Sequence, residues 1–137
     1  MPTYKLTYFD LRGLGETARW LFKIAKVDFE DNRLSMKFGT PGDFSTLITP
    51  EFDAMKESGE LDASMKKAPM LEVDGKRIGQ SKAIERFLAR EFGFMGADSV
   101  EAAQIDQLCE PSIFNETRDA KTCKQSPQQL FSRTAPD

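Results

Sequence analysis

The dipeptide Asp74-Gly75 limits the possible folds of this chain more than any other feature of the sequence. It lies between the apolar segment Met70–Val73 and the segment Lys76–Ile78. Asp-Gly between two β-forming segments is typical of a two-residue β-hairpin, because both turn residues must adopt positive φ angles. The sequence therefore predicts an antiparallel pair of strands near the middle of the chain.

A strand–helix–strand unit is predicted before this hairpin. Tyr4–Phe9 alternates and is rich in β-forming residues, and Val27–Leu34 resumes a strand pattern. Between them the apolar residues recur at the spacing of one helical face, in a helix that ends near Lys26. The residues of that face are Leu14, Ala18, Leu21, Phe22 and Ala25.

Residues 35–66 are the least regular part of the sequence. The segment 38–42 has the Gly and Pro content of a loop. Thr49 followed by Pro50 predicts the start of a helix, with Thr49 as N-cap and Pro50 at the first helical position. Phe52 and Lys56 lie on this predicted helix, which stops around Gly59.

A further helix is predicted directly after the hairpin, where Ser81 can act as its N-cap. Its expected inner face consists of Ala83, Ile84, Phe87 and Leu88. The complete order is β-α-β-α-β-β-α, which predicts a thioredoxin-like α/β domain with a mixed four-stranded sheet over residues 1–95. Asp98 and Glu101 have capping-box spacing and predict the start of an all-α segment.

The composition excludes several functional classes. The chain of 137 residues contains no histidine, which removes His-based acid–base catalysis, His-dependent triads and zinc sites that need His. Its two cysteines, Cys109 and Cys123, do not form a C-x-x-C motif and are expected to be reduced thiols. The net charge of −3 gives no basic field for nucleic acid or anionic membranes. Without an apolar run of membrane-spanning length or a signal peptide, a cytoplasmic protein is expected.

The sequence changes character from Pro111 onward. Apolar residues become sparse, and Ser, Gln, Pro and Thr predominate. We therefore expect residues 96–137 to form a truncated or divergent helical segment that ends in a disordered C-terminus. Truncation, alternative splicing and read-through into unrelated sequence remain open as explanations.

Four segments share a specific combination of motifs. They are Tyr4–Gly13, Lys67–Gly75, Gln80–Phe87 and the weaker Ala103–Leu108. In particular, Pro-x-Leu-x-Val-Asp-Gly is followed at short distance by Gln-Ser-x-Ala-Ile. Over roughly residues 1–110 the chain thus resembles the glutathione S-transferases, most closely the sigma class and its nematode and protist relatives.

The resemblance implies a catalytic role for Tyr8, at the end of the first strand. Its phenol would donate a hydrogen bond to the sulfur of glutathione, which favours the thiolate and lowers the pKa of the thiol. Tyr8 can also be read as a strand aromatic that packs on a helix, as Tyr4 is. The same family pattern implies a glutathione site that consists of Phe52, Lys56, Lys67, Ala68, Pro69, Gln80 and Ser81.

Each binding residue is assigned a part of glutathione by the resemblance. Pro69 matches the family's cis-proline, which would turn the backbone of Ala68 toward the cysteinyl part. Gln80 and Ser81 would hold the γ-glutamyl carboxylate at a helix N-terminus. Lys56, with Lys67 as a neighbour and Phe52 where the family has Trp, would hold the glycyl end. Plainer readings are a trans-proline at an edge strand, a simple N-cap and solvated lysines.

The sequence also departs from the family pattern. Leu14 occupies a position that is usually Arg in sigma enzymes, and Phe114 stands where the family has an aspartate that reaches across the dimer. The loop before Pro69 is longer than usual.

Two functions follow from these observations. The chain is either a glutathione transferase or isomerase, weakened by its incomplete helical domain, or a non-catalytic glutathione-binding module. The implied partners are glutathione, a small electrophile and a second copy of the chain, without a metal. A thiol–disulfide oxidoreductase is disfavoured by the absent C-x-x-C.

Overall fold

The structure, a computed structural model, describes residues 1–109 of the chain. The chain divides into two units, Met1–Phe94 and a second unit that begins at Met95. The strands of the first unit are β1 (Tyr4–Phe9), β2 (Glu30–Leu34), β3 (Lys37–Phe38), β4 (Leu47–Ile48), β5 (Met70–Val73) and β6 (Lys76–Gly79). Its helices are α1 (Glu16–Ala25), α2 (Pro50–Glu57) and α3 (Ser81–Glu91).

Four of these strands form one mixed sheet in the order β2-β1-β5-β6. The pair β1 and β2 is parallel, whereas β5 is antiparallel to both β1 and β6. The hairpin turn has positive φ at both central residues, +48° at Asp74 and +80° at Gly75, as a type I′ turn requires. The predicted hairpin, the mixed sheet and the thioredoxin-like order are therefore confirmed.

The hydrophobic core lies between the sheet and the helices α1 and α3. Phe22 from α1 stacks on Phe29 with ring centroids 4.3 Å apart, and Tyr4 meets Phe22 edge-to-face at 5.2 Å. Burial of each such side chain stabilises the fold by about 1.5–3 kcal/mol. The buried core cluster consists of Tyr4, Leu6, Ala18, Phe22, Leu71, Ile84 and Leu88.

Three details of the sequence prediction were wrong. Leu14 precedes α1 and is 41% exposed, because the helix begins only after the N-cap residue Gly15. Ala83 is exposed, since the inward face of α3 is centred on Ile84 and Leu88. Strand β2 begins at Glu30, where pairing with Lys5 of β1 starts, rather than at Val27.

The irregular segment before α2 contains a second, two-stranded sheet that the sequence did not predict. Strands β3 and β4 pair through Lys37↔Ile48 and Phe38↔Leu47, and a 3₁₀ turn, Phe44–Thr46, lies between them. Asp43 caps this turn with its side chain. Strands of two residues show no readable periodicity, which explains why the pattern suggested only a loop.

Helix α2 begins at the predicted place, with Thr49 as N-cap and Pro50 at its start. The Thr49 side chain does not cap the helix through the backbone. Its hydroxyl instead donates to the Asp53 carboxylate at 3.3 Å.

The second unit contains the predicted helix, α4 (Ser99–Cys109). The Asp98 carboxylate accepts hydrogen bonds from the N–H groups of Val100 and Glu101, at 2.8 and 2.9 Å. The Glu101 carboxylate accepts in return from the N–H of Ala97 at 2.7 Å. The predicted capping residues are thus confirmed, with the return bond one residue earlier than in the usual pattern. Expectations for residues 111–137, including Phe114 and the disordered terminus, lie outside the described residues.

Among the helices of residues 1–109, none combines the length and the apolar character that crossing a membrane requires.

Asp74 is expected to make the stability of the fold depend on pH in the acidic range. Its carboxylate accepts from the backbone N–H of Thr3 at 2.8 Å and from the Thr3 hydroxyl at 3.1 Å, and these bonds lower the pKa of Asp74. The unfolded chain lacks the bonds, so the stabilisation is present above the unfolded pKa of about 3.9 and is lost as pH falls through the lower folded value. We expect the stability difference between the parent and Asp74→Asn in urea unfolding to shrink between pH 5 and pH 2.

Asn tolerates the positive φ of the turn and retains one acceptor oxygen, so this variant isolates the charge. Asp28→Asn is the matched control, because the exposed Asp28 carboxylate accepts no hydrogen bond within residues 1–109. A difference for Asp74→Asn that does not change with pH would contradict the prediction.

Candidate functional site

The strand registers bring three separate segments to one edge of the sheet. Thr7 near the end of β1 pairs with Met70 at the start of β5, and Met70 pairs with Gly79 at the end of β6. At this edge Tyr8 lies in β1, one residue before its end, the Ala68–Pro69 dipeptide directly precedes β5, and the Gln80–Ser81 dipeptide directly follows β6. The predicted site residues from these three segments are brought together by the sheet itself.

Tyr8 is held in place by backbone and glycine contacts. It is 7% exposed, and its phenol oxygen accepts a hydrogen bond from the N–H of Leu14 at 3.2 Å. Gly15 packs directly on the ring, so that a Cβ added there would lie 2.5 Å from Tyr8 Cδ1. Within residues 1–109 no side chain or carbonyl accepts the phenol's own proton, which leaves Tyr8 able to donate to a ligand.

Arg19 is the buried cation of the site, with only 2% of the residue exposed. Its guanidinium donates to the carbonyl oxygens of Leu11 at 2.8 Å and Phe9 at 3.1 Å. It also pairs with the carboxylates of Asp31 at 3.1 Å and Glu16 at 3.2 Å. The donors of the Arg19 guanidinium thus connect α1 and β2 to the end of β1 and to the turn that follows it. The guanidinium carbon lies 5.7 Å from the centre of the Tyr8 ring.

Glu16 is the second anion that balances Arg19. Burial alone raises the pKa of Glu16, but hydrogen bonds from Trp20 and Arg19, with the Arg19 charge, bring the pKa below its ordinary value. The Trp20 indole N–H donates to Glu16 at 3.1 Å. The carboxylate therefore stays ionised at neutral pH, and the buried guanidinium keeps its counter-charge.

A row of aromatic contacts connects Tyr8 with the lysine of α2. Tyr8 meets Phe9 at 5.6 Å between ring centroids, and Phe9 meets Phe52 at 5.0 Å. The ammonium of Lys56 lies 4.2 Å from the centre of the Phe52 ring and 3.6 Å from the carboxylate of Asp53. Phe9 thus links Tyr8 of β1 to Phe52 of α2. The ammonium of Lys56 contacts both an aromatic ring and a carboxylate of its own helix.

The peptide bond between Ala68 and Pro69 is cis, as the family resemblance implies. Ala68 precedes the β5 ladder, and among residues 1–109 it takes part in no backbone hydrogen bond outside the ladders. Pro69 is buried, whereas Ala68 is half-buried and Lys67 is exposed. The backbone of Ala68 is therefore placed to pair with an extended ligand.

The start of α3 corrects the predicted cap. Gln80 is the N-cap residue, with φ of +68°, and Ser81 is the first helical residue rather than the cap. No side chain caps this helix through a hydrogen bond. Because the first turn of a helix leaves N–H groups without intrahelical acceptors, this end of α3 suits an anion.

Sequence reasoning missed the residues that support the predicted ones. The Leu14 N–H, Gly15 and Arg19 were overlooked as contacts of Tyr8. A signal was available for Arg19, which lies next to Ala18 and three residues before Phe22 on the apolar face of α1. No side-chain pattern could have revealed the Leu14 contact, since the donor belongs to the main chain.

Within residues 1–109 no group of three or more acidic or cysteine side chains is arranged to hold a metal ion. The groups gathered at the candidate site are a phenol, cationic side chains, backbone groups and one helix N-terminus.

The mixed four-stranded sheet, with a cis-proline at the start of β5 and a helix beginning after β6, defines a thioredoxin-like domain. Residues 4–90 match the profile described as "Glutathione S-transferase, N-terminal domain". The chain therefore belongs to the glutathione S-transferase family.

Curated relatives are similar over most of this chain. Glutathione S-transferase 1 of Ascaris suum is 43% identical over 122 residues, which cover 87% of this chain and 47% of the relative. Hematopoietic prostaglandin D synthase of Gallus gallus is 43% identical over 108 residues, covering 79% and 46%. The chain spans about half the length of the curated relatives it matches.

Solved structures of glutathione S-transferases are also similar to this chain. A nematode-specific transferase of C. elegans superposes with a TM-score of 0.65 at 34% identity and covers 100% of this chain and 57% of that one. A Nu-class transferase from Haemonchus contortus gives a TM-score of 0.61 at 34% identity, covering 87% and 48%.

Proposed function

We propose that this chain carries the glutathione-binding and thiol-activating site of a glutathione transferase. The observation that carries the proposal is the hydrogen bond from the Leu14 N–H to the Tyr8 phenol oxygen. This bond fixes the ring and occupies the oxygen as an acceptor, so that the phenol proton is directed outward. The phenol then donates to the glutathione sulfur and favours its thiolate form.

Glutathione is held by three segments in this proposal. The N-terminus of α3, with Gln80 and Ser81, takes the γ-glutamyl carboxylate through its N–H groups, its helix dipole and the Ser81 hydroxyl, which donates a hydrogen bond to it. The backbone of Ala68, turned by Pro69, pairs with the cysteinyl part as an added strand would. Lys56 on α2, supported by Phe52, and the exposed Lys67 take the glycyl carboxylate.

The bound thiolate attacks a small electrophile, and the enzyme accelerates the reaction by holding the nucleophile in position. The similarity to a prostaglandin D synthase supports isomerisation as a second use of the same thiolate. Membership of the sigma class, weak turnover, a homodimer and a cytoplasmic location stay predictions. For the class, the relatives include a Nu-class structure as well as the synthase.

The full chain tests the proposal in two measurements. Titration calorimetry with glutathione is expected to show one saturable site. Mixing with glutathione and a chloronitroaromatic electrophile is expected to release the conjugate faster than the uncatalysed reaction. Binding without any turnover would favour the non-catalytic glutathione-binding module. The absence of binding would reject both functions.

Ser81→Ala is expected to weaken glutathione binding about tenfold, the equivalent of losing a charge-assisted hydrogen bond worth about 1.5 kcal/mol. Ser81 is the first residue of α3, where the γ-glutamyl carboxylate is proposed to lie. Ser99→Ala is a matched control, because Ser99 is the first residue of α4. Calorimetry that shows equal affinities for Ser81→Ala and the parent would contradict the assignment.

A further inference from the structure

Ser64 is a buried hydroxyl that the proposed mechanism does not use. It is 1% exposed and ends a 3₁₀ turn, Asp62–Ser64. Its hydroxyl lies 2.6 Å from the carbonyl oxygen of Lys67 and 2.9 Å from that of Leu61, so its single proton is shared between two backbone acceptors. The bond to Leu61 is local to the turn, whereas the bond to Lys67 fixes the residue that precedes Ala68.

Ser64 also contacts the opposite segment of the site. A Cβ added to Gly79 would lie 2.6 Å from Ser64 Cβ and closer still to Ser64 Cα. The backbone of Gly79, which immediately precedes Gln80, therefore rests directly on Ser64. Only glycine permits this approach, because any larger residue would have to displace the backbone of the turn.

The backbone after Ser64 needs this support. Met65 and Lys66 both have positive φ, +56° and +58°, a conformation that costs non-glycine residues about 1–2 kcal/mol each. Bonds from the N–H of Lys66 to the Leu61 carbonyl, 2.9 Å, and from the N–H of Lys67 to the Ser64 carbonyl, 3.2 Å, keep the segment closed. Such conformations persist where surrounding contacts determine them.

We propose that Ser64 is a positioning residue that fixes the Ala68 backbone relative to the Gln80–Ser81 helix start. This inference rests on the proposed glutathione site, whose cysteinyl and γ-glutamyl subsites are these two segments. Since one bound glutathione must span both subsites at once, a change in their separation weakens binding. Ser64 itself is buried, so it acts through its contacts with Lys67 and Gly79.

The test compares Ser64→Ala with Thr7→Val, a matched loss of a buried hydroxyl. Thr7 is 2% exposed and accepts from the Asn32 amide at 3.2 Å, between β1 and β2. Three quantities are measured: the glutathione dissociation constant, the turnover at saturating glutathione, and the amide NMR shifts of Ala68, Gln80 and Ser81 without ligand. Urea unfolding confirms that all proteins are folded.

Ser64→Ala is expected to weaken glutathione binding about threefold to tenfold, as loss of one hydrogen bond allows, with turnover at saturation retained. The amide signals of both Ala68 and Gln80 are expected to shift, and Gly79→Ala is expected to weaken binding in the same way. Thr7→Val should lose stability without losing affinity.

Equal affinity of Ser64→Ala and the parent, or an equal loss in Thr7→Val, would overturn the inference. A parent that binds no glutathione would reject the proposed function instead. The ligand-free amide shifts then decide the positioning role by themselves: unmoved signals of Gln80 and Ser81 in Ser64→Ala overturn it, and shifts at both segments support it.

Discussion

Tyr8→Phe is expected to lower the turnover of glutathione with an electrophile by about 100-fold or more, the usual cost of removing one preorganised donor at a developing or bound anion. The substitution removes only the phenol oxygen and leaves the ring against Gly15 and Phe9. Glutathione affinity should change much less, because the tripeptide is held mainly at its two carboxylates and its backbone. The loss should therefore appear in kcat and in the pH dependence of turnover.

The pH dependence separates thiol activation from simple damage. Without the phenol donor, the bound thiol should ionise at a higher pH, so that turnover of Tyr8→Phe recovers as pH rises toward the ordinary thiol pKa of about 8.5. Tyr4→Phe is the matched control, because Tyr4 lies in the same strand, is equally buried and packs on Phe22 and Phe92. If Tyr8→Phe retained parental turnover, Tyr8 would be only a core aromatic.

Arg19→Met is expected to destabilise the domain by about 3 kcal/mol, since it breaks a buried ion pair and removes donors from two carbonyl oxygens. Met fills much of the same space, so the loss reports on the guanidinium. The figure lies at the low end of the range for buried pairs because the side chains of Asp31 and Glu16 are 24% and 30% exposed and can take up water. Urea unfolding monitored by the single Trp20 gives the measurement.

Arg19→Lys distinguishes charge from geometry. Lys keeps the positive charge but cannot reproduce a fork that reaches two carbonyls and two carboxylates, so most of the loss should remain. Arg33→Met is the surface control: Arg33 also pairs with Asp31, and with Asp10, but its side chain is 43% exposed. Its effect should be much smaller. Equal losses at Arg19 and Arg33 would contradict the assigned role of burial.

The sequence predicted the framework because its strongest signals are local. Asp74-Gly75 requires a tight turn, the period of α3 identifies Ile84 and Leu88, and Asp98 with Glu101 marks the start of α4. The prediction failed where an element is too short to show a period, or where a residue fits the period of a helix but lies outside it. Strands β3 and β4 have two residues each. Leu14 fits the helical period but lies before the N-cap.

The site was predictable only in part for a different reason. The residues proposed to touch a ligand have distinctive functional groups, such as the phenol of Tyr8 and the ammonium of Lys56, and these can be read directly from the sequence. Residues that hold them do so through contacts distant in the chain. Ser64 and Gly79 are in contact although they are fifteen positions apart in the sequence, and neither residue type predicts that contact.

The contact between Leu14 and Tyr8 has a consequence for mutational robustness. Its donor is a main-chain N–H, which every amino acid except proline supplies. Nineteen of the twenty amino acids at position 14 can therefore supply this donor. Selection that preserves the bond acts on the backbone conformation of the turn and not on the side chain at position 14. A missense change far from position 14 that reroutes the turn would do more harm than most changes at the position itself.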